Sequence, residues 1–128
     1  MCRSGVVIAV ALALAAPTFV ASGSVLAGEA HVVGVKVVKT GAGTFSFDVT
    51  VRHDDTGWKH YTNKWEVVAS DGHVLATRTL YHPHVDEQPF TRSLSGVRIP
   101  PAVRSVTIRA FDSVHGGGGE TRTIAVPH

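Results

Sequence analysis

Cysteine is almost absent from this chain. Cys2 is the single example, so everything after it can form no disulfide and offers no thiolate as nucleophile or metal ligand. Methionine occurs only as Met1, which removes thioether ligands and argues against a soft Cu(I) site. Blocks of like charge are missing too. Twelve Lys and Arg face ten Asp and Glu, for a formal charge of +2, and the basic residues are scattered. Neither a nucleic-acid footprint nor an acidic tail is visible. No nucleophile elbow, His-Glu-x-x-His or phosphate-cradling loop occurs. The paired carboxylates Asp54-Asp55 and Asp86-Glu87 are neighbours that project differently, unlike a glycosidase pair. The expectation is a protein that binds rather than one that catalyses.

A long hydrophobic run occurs once, at Val6–Ala16. Preceded by Arg3 and followed by small residues, it reads as the core of a signal peptide spanning residues 1–30. It is shorter than the ~20 apolar residues of a spanning helix. Cleavage after Ala27 would start the mature chain at Gly28; cleavage after Ala30 would start it at His31. No lipobox precedes Cys2, so lipidation is not expected. The remainder, 98 to 101 residues, is one small domain, taken as residues 31–128, in a periplasmic or secreted protein with no membrane span.

That remainder alternates rather than showing helical periodicity. Thr44–Arg52 sets Phe45, Phe47, Val49 and Val51 against Ser46, Asp48, Thr50 and Arg52, the pattern of a strand buried on one face. Strands are also expected over Val32–Lys39, Lys64–Ala69, His73–Tyr81, Ser93–Ile99, Val103–Phe111 and Glu120–Val126. Asp71-Gly72 is a hairpin signal. About seven short strands with turns between them predict an all-β, immunoglobulin- or fibronectin-III-like antiparallel sandwich. Trp65 falls where such a sandwich buries an aromatic.

Histidine is the residue present in excess. All eight lie beyond the leader, and five of them fall in three polar segments: His53–Tyr61, His82–Glu87 and Asp112–Gly116. His82 and His84 are two apart, and on an extended backbone, which Pro83 favours, both face the same side. With Asp86 and Glu87 behind them they offer imidazole and carboxylate donors to Cu(II) or Zn(II). His53, His60 and His115 are further candidate ligands, and Asp54 and Asp55 could join His53 and His60. His31, if N-terminal, could chelate copper through its amine and ring. Against these stand ordinary readings: a polar turn at His82–Glu87, an Asx turn at Asp54–Gly57, and Trp58, Tyr61 and Trp65 covering the end of the core. The expected function is metal handling. The alternative is a metal-free module binding a protein, peptide or glycan through its aromatic and histidine loops.

The run HDDTGWKHY (His53–Tyr61), Trp65, and LYHPHVDEQPFTRSL (Leu80–Leu94) together resemble a family of small exported bacterial proteins of unassigned function. The resemblance implies an exported single β domain and brings no activity with it.

Overall fold

The structure, a computed structural model, describes residues 28–128; the expected signal peptide before Gly28 lies outside the described residues. Eight strands follow one another: β1 (His31–Gly41), β2 (Thr44–Arg52), β3 (Thr62–Ala69), β4 (Val74–Thr79), β5 (Phe90–Arg98), β6 (Ser105–Asp112), β7 (Gly116–Gly117) and β8 (Arg122–Ala125). They form two antiparallel sheets. One has the order β1-β2-β5; the other has the order β4-β3-β6, with β7 and β8 both pairing the free side of β6. This is the expected sandwich. The additional strand is β7, two glycines in what reads from sequence as a loose loop.

The alternation in β2 holds residue by residue. Phe45, Phe47, Val49 and Val51 are fully buried, and Arg52 is exposed. Across the sandwich Val106, Ile108 and Ala110 of β6 join the same core, with Trp65 and Val67 of β3 beside them in the same sheet. Each such Val, Ile or Phe side chain taken from water stabilises by about 1.5–3 kcal/mol. Core packing begins before β1, because Ala30 is buried as well. The domain therefore starts a little earlier than residue 31.

At the β3–β4 hairpin Gly72 has φ 91°, a conformation that glycine adopts without steric cost. The Asp71 carboxylate accepts the His73 N–H at 2.9 Å. The return strand is shorter than expected and β5 begins earlier, at Phe90. Leu80–Pro89 is thus a loop of its own, with a cis peptide at Gln88–Pro89.

Antiparallel pairing decides which loops share an end. β2 ends where β1 begins, and β3 begins where β4 and β6 end. The β2–β3 loop, the β4–β5 loop, the β6–β7 turn and the segment leading into β1 consequently lie at one end of the sandwich.

Candidate metal centre

Two strands carry a polar residue in the slot that continues their buried face. In β2 the inward positions run Phe45, Phe47, Val49, Val51, and the next step is His53. In β6 they run Val106, Ile108, Ala110, Asp112. Both end residues are buried. Strand parity, which turns alternate side chains to one face, brings them together from opposite sheets.

His60 joins them through a tight fold-back of the β2–β3 loop. Its N–H donates to the Gly57 carbonyl at 3.1 Å, and its carbonyl accepts the Thr56 N–H at 3.0 Å. His60 Nε2 then lies 3.3 Å from His53 Nε2 and 3.3 Å from Asp112 Oδ1. His115 flanks the group. Asp112 Oδ1 accepts the backbone N–H groups of Val114 and His115, at 2.8 and 2.6 Å, which wraps the turn around the carboxylate. The His115 ring reaches the same oxygen with Nδ1 at 3.2 Å, and its centroid is 5.0 Å from that of His60.

His53, His60 and Asp112 each present one donor atom, all within 4.8 Å of one another. Ligand atoms about 2.0–2.2 Å from a common ion sit roughly 3.0–3.6 Å apart; the two 3.3 Å separations at His60 fall in that range, and the His53–Asp112 separation, 3.9 Å, is slightly wider. Asp112 Oδ2 is buried with no hydrogen-bond partner, 3.9 Å from His53 Nε2. A carboxylate oxygen left so is costly, and a cation among these donors would satisfy it. The residues fit a metal ion.

Behind His53 stands Asp55. Its Oδ1 bonds His53 Nδ1 and accepts the Thr62 N–H at 3.1 Å; its Oδ2 accepts the His84 N–H at 2.7 Å. A carboxylate on one ring nitrogen fixes the tautomer and leaves Nε2 facing the cluster. Gln88 braces the same region, donating to the His84 carbonyl and accepting the His53 N–H, each at 2.9 Å. Burial alone would lower the His53 pKa. The Asp55 bond and charge, the Asp112 charge and the Gly28 carbonyl outweigh it and hold the imidazole above its ordinary value. Burial would likewise raise Asp55, but the bonds from His53, His84 and Thr62 and the His53 charge hold it below the usual carboxylate range.

The pair expected to lead, His82 and His84, lies elsewhere. Their rings are 4.7 Å apart between centroids, so the two are neighbours. Yet among the described residues no group of three donors forms around them. His84 turns inward, stacks on Phe90 at 3.9 Å and leaves both ring nitrogens without partners. Burial, then the charges of Arg92 and His82, push its pKa down, against Asp55 and Glu87. His82 stays exposed, bonded to the Pro83 carbonyl at 3.2 Å. Asp86 is exposed, and Glu87 pairs with Arg92 at 3.0 Å. His31 is in β1, where Nδ1 accepts the Glu120 N–H at 2.8 Å.

Asp112 is not among the candidate ligands that the sequence suggests, and Asp55, which could join His53 and His60 as a ligand, reads more readily as part of a turn. Asp54–Gly57 reads as a plain Asx turn, but the Asp55 carboxylate reaches residues 7 and 29 positions on. Extending the alternation of β6 by one step would have found Asp112. Nothing local marks Gln88. The aromatics also divide: Trp65 is fully buried, whereas Trp58 is 68% exposed, edge-on to Tyr61.

The fold and this cluster define a small two-sheet β protein with a His/Asp group that could hold a metal ion. No family model matches the chain. A protein of Halomicrobium mukohataei named "Putative lipoprotein" is 36% identical over 96 residues, covering 75% of this chain and 47% of that protein. The chain thus spans about half the length of the curated relative it matches. Two solved structures share the architecture. A hypothetical protein from Pyrococcus horikoshii OT3 superposes with a TM-score of 0.52 at 12% identity, over 78% of this chain and 91% of that one. A superoxide reductase (neelaredoxin) variant from Archaeoglobus fulgidus gives 0.51 at 11% identity, over 84% and 95%. At these identities the likeness is one of fold. Among the described residues no helix is long and apolar enough to cross a membrane.

Proposed function

We propose that this is an exported protein that binds a divalent transition-metal ion through His53, His60 and Asp112, with His115 beside them, and serves in metal handling. The observation that carries the reading is the convergence of three donors, two buried and one partly buried, from separate parts of the chain onto one point. Two or three imidazoles and a carboxylate suit Zn(II), Cu(II) or Fe(II). Asp55 would orient His53, and Asp112 would contribute the negative charge that makes an ion welcome there. The relative's name supports a place at the cell envelope or outside the cell.

Titration of the purified protein with Zn(II), Cu(II) and Co(II), followed by elemental analysis, tests the reading. One ion per chain is expected, lost in His60→Ala and kept in His82→Ala. Equal binding by both variants would overturn it. One structural neighbour is named a superoxide reductase, so superoxide turnover by iron-loaded protein is the activity to measure beside it. Turnover would recast metal handling as redox catalysis.

A second reading rests on the exposed apolar side chains near the same end. Trp58 is 68% and Tyr81 75% exposed, with Val85 and Val114 also open to solvent. An interaction module would use them to dock a protein, peptide or glycan. Substituting Trp58 and Tyr81 by Ser would then abolish capture of the partner while leaving metal binding intact.

A further inference from the structure

The segment ahead of β1 reaches the cluster with its backbone. The Gly28 carbonyl oxygen lies 3.1 Å from His60 Nε2, the nitrogen that also faces His53 and Asp112. On its other side Gly28 lies against His115: a Cβ there would collide with the imidazole, coming 2.7 Å from Nε2. A larger residue would have to push the half-exposed His115 ring aside. The segment is tied down just beyond, because Ala30 is buried in the core and the Val32 N–H donates to the Glu120 carbonyl at 2.8 Å. Gly28 cannot stray far from the cluster once the sandwich has formed.

Gly28 is also the first residue left by cleavage after Ala27, one of the two points the leader offers. In the intact chain its nitrogen belongs to a peptide bond, whose lone pair is delocalised into the carbonyl. Cleavage turns that nitrogen into an α-amine, which offers its lone pair to an ion on releasing a proton to solvent and is attached to the Cα whose carbonyl already touches His60. Amine nitrogen and carbonyl oxygen of one residue can close a small chelate ring on a single ion.

We propose that signal cleavage after Ala27 completes the metal centre, the α-amino nitrogen and carbonyl oxygen of Gly28 ligating the same ion as His53, His60 and Asp112. This rests on the metal reading above and adds that the site is assembled by maturation. It also relocates the N-terminal chelate envisaged at His31. The His31 Nδ1 is occupied by the Glu120 N–H, and cleavage after Ala30 would remove Gly28 altogether.

The test uses the full chain, exported by a bacterial host and processed there. Intact mass gives the first residue, which should be Gly28. A second chain carries one alanine inserted between Ala27 and Gly28, and its mass must show that alanine retained. Both are titrated with Co(II), whose visible absorption reports the donor set. Affinity of the inserted chain should fall at least about tenfold, since a bound donor counts for no less than the outer partners of a site. Its Co(II) spectrum should shift as well.

Equal affinity and identical spectra would overturn the role of Gly28 and leave the histidine–aspartate cluster standing. A mature chain that starts at His31 and binds as tightly would do the same. No Co(II) binding by either chain, or binding that His60→Ala leaves untouched, would sink the cluster itself and the proposal with it.

Discussion

Two histidine groups sit at the same end of this molecule. One is the local pair His82-Pro83-His84; the other is assembled from His53, His60, Asp112 and His115. The local pair has its rings side by side, yet one ring stacks on Phe90 and the other faces solvent, bonded to a backbone carbonyl. The assembled group comes from two loops and two strand ends, yet its nitrogens and carboxylate point at one another. Closeness in sequence sets where rings are; it does not set where their nitrogens aim. Aim is decided by what holds each side chain from behind. For His53 that is Asp55, whereas both nitrogens of His84 lack a partner.

Breaking the assembled group should have the largest effect. Zn(II) at about 100 times its Kd stabilises the folded protein by about 2.7 kcal/mol, which for a domain of this size raises Tm by on the order of 10–20 °C. His60→Ala should abolish that rise in a thermal melt, and His82→Ala should preserve it. A preserved rise in His60→Ala would reverse the ranking of the two groups.

Next comes the support behind His53. Asp55→Asn should weaken Zn(II) binding by about 10–100-fold, as loss of a carboxylate that orients a ligating histidine does. An unchanged Kd would show that Asp55 only packs the loop.

In the metal-free protein the same pair should shape the pH profile of stability. The Asp55 pKa is depressed from 3.8, so its contribution is present above that value and lost as pH falls through the folded one. The His53 pKa is raised from 6.5, so its contribution is complete below 6.5 and lost as pH rises through the folded one. The pair therefore stabilises most between about pH 4 and 6.5. Urea midpoints measured with chelator should peak in that window for the native chain and flatten in Asp55→Asn. An identical profile in the variant would refute the coupling.

The smallest effect belongs to the local pair. His84 buries two ring nitrogens without partners, and an apolar side chain would not carry that cost. His84→Leu should change unfolding free energy by less than about 1 kcal/mol, in either direction, and leave Zn(II) affinity alone. A large loss of affinity would join the two groups into one site.

The fold was largely written in the chain. Alternation in Thr44–Arg52 and again in Ser105–Ala110 allows one answer, because a slip by one residue would turn every phenylalanine and valine to solvent. Trp65 and the Asp71-Gly72 turn agree with it. The site was legible only in part. Histidine enrichment pointed to His53, His60 and His115, and to His82 and His84 equally, since residue type and short-range spacing are the same in both. Asp112 was hidden by taking the strand to end one residue early, and Asp55 by the turn-like run Asp-Asp-Thr-Gly.

By itself, then, the sequence determined the two-sheet sandwich, the face each strand buries and the set of side chains able to hold a metal. Those follow from local pattern and from solvent exclusion, which act residue by residue. Which of those side chains meet was decided by tertiary structure. Antiparallel pairing placed the ends of β2 and β6 together, and the buried carboxylate of Asp55 turned one imidazole to face another. The backbone of Gly28 was laid against both His60 and His115 by the same packing. Local spacing does not encode the long-range contacts: Gly28 meets His60 32 positions on and His53 meets Asp112 more than 50 positions on, through a core that exists only once the sheets have closed.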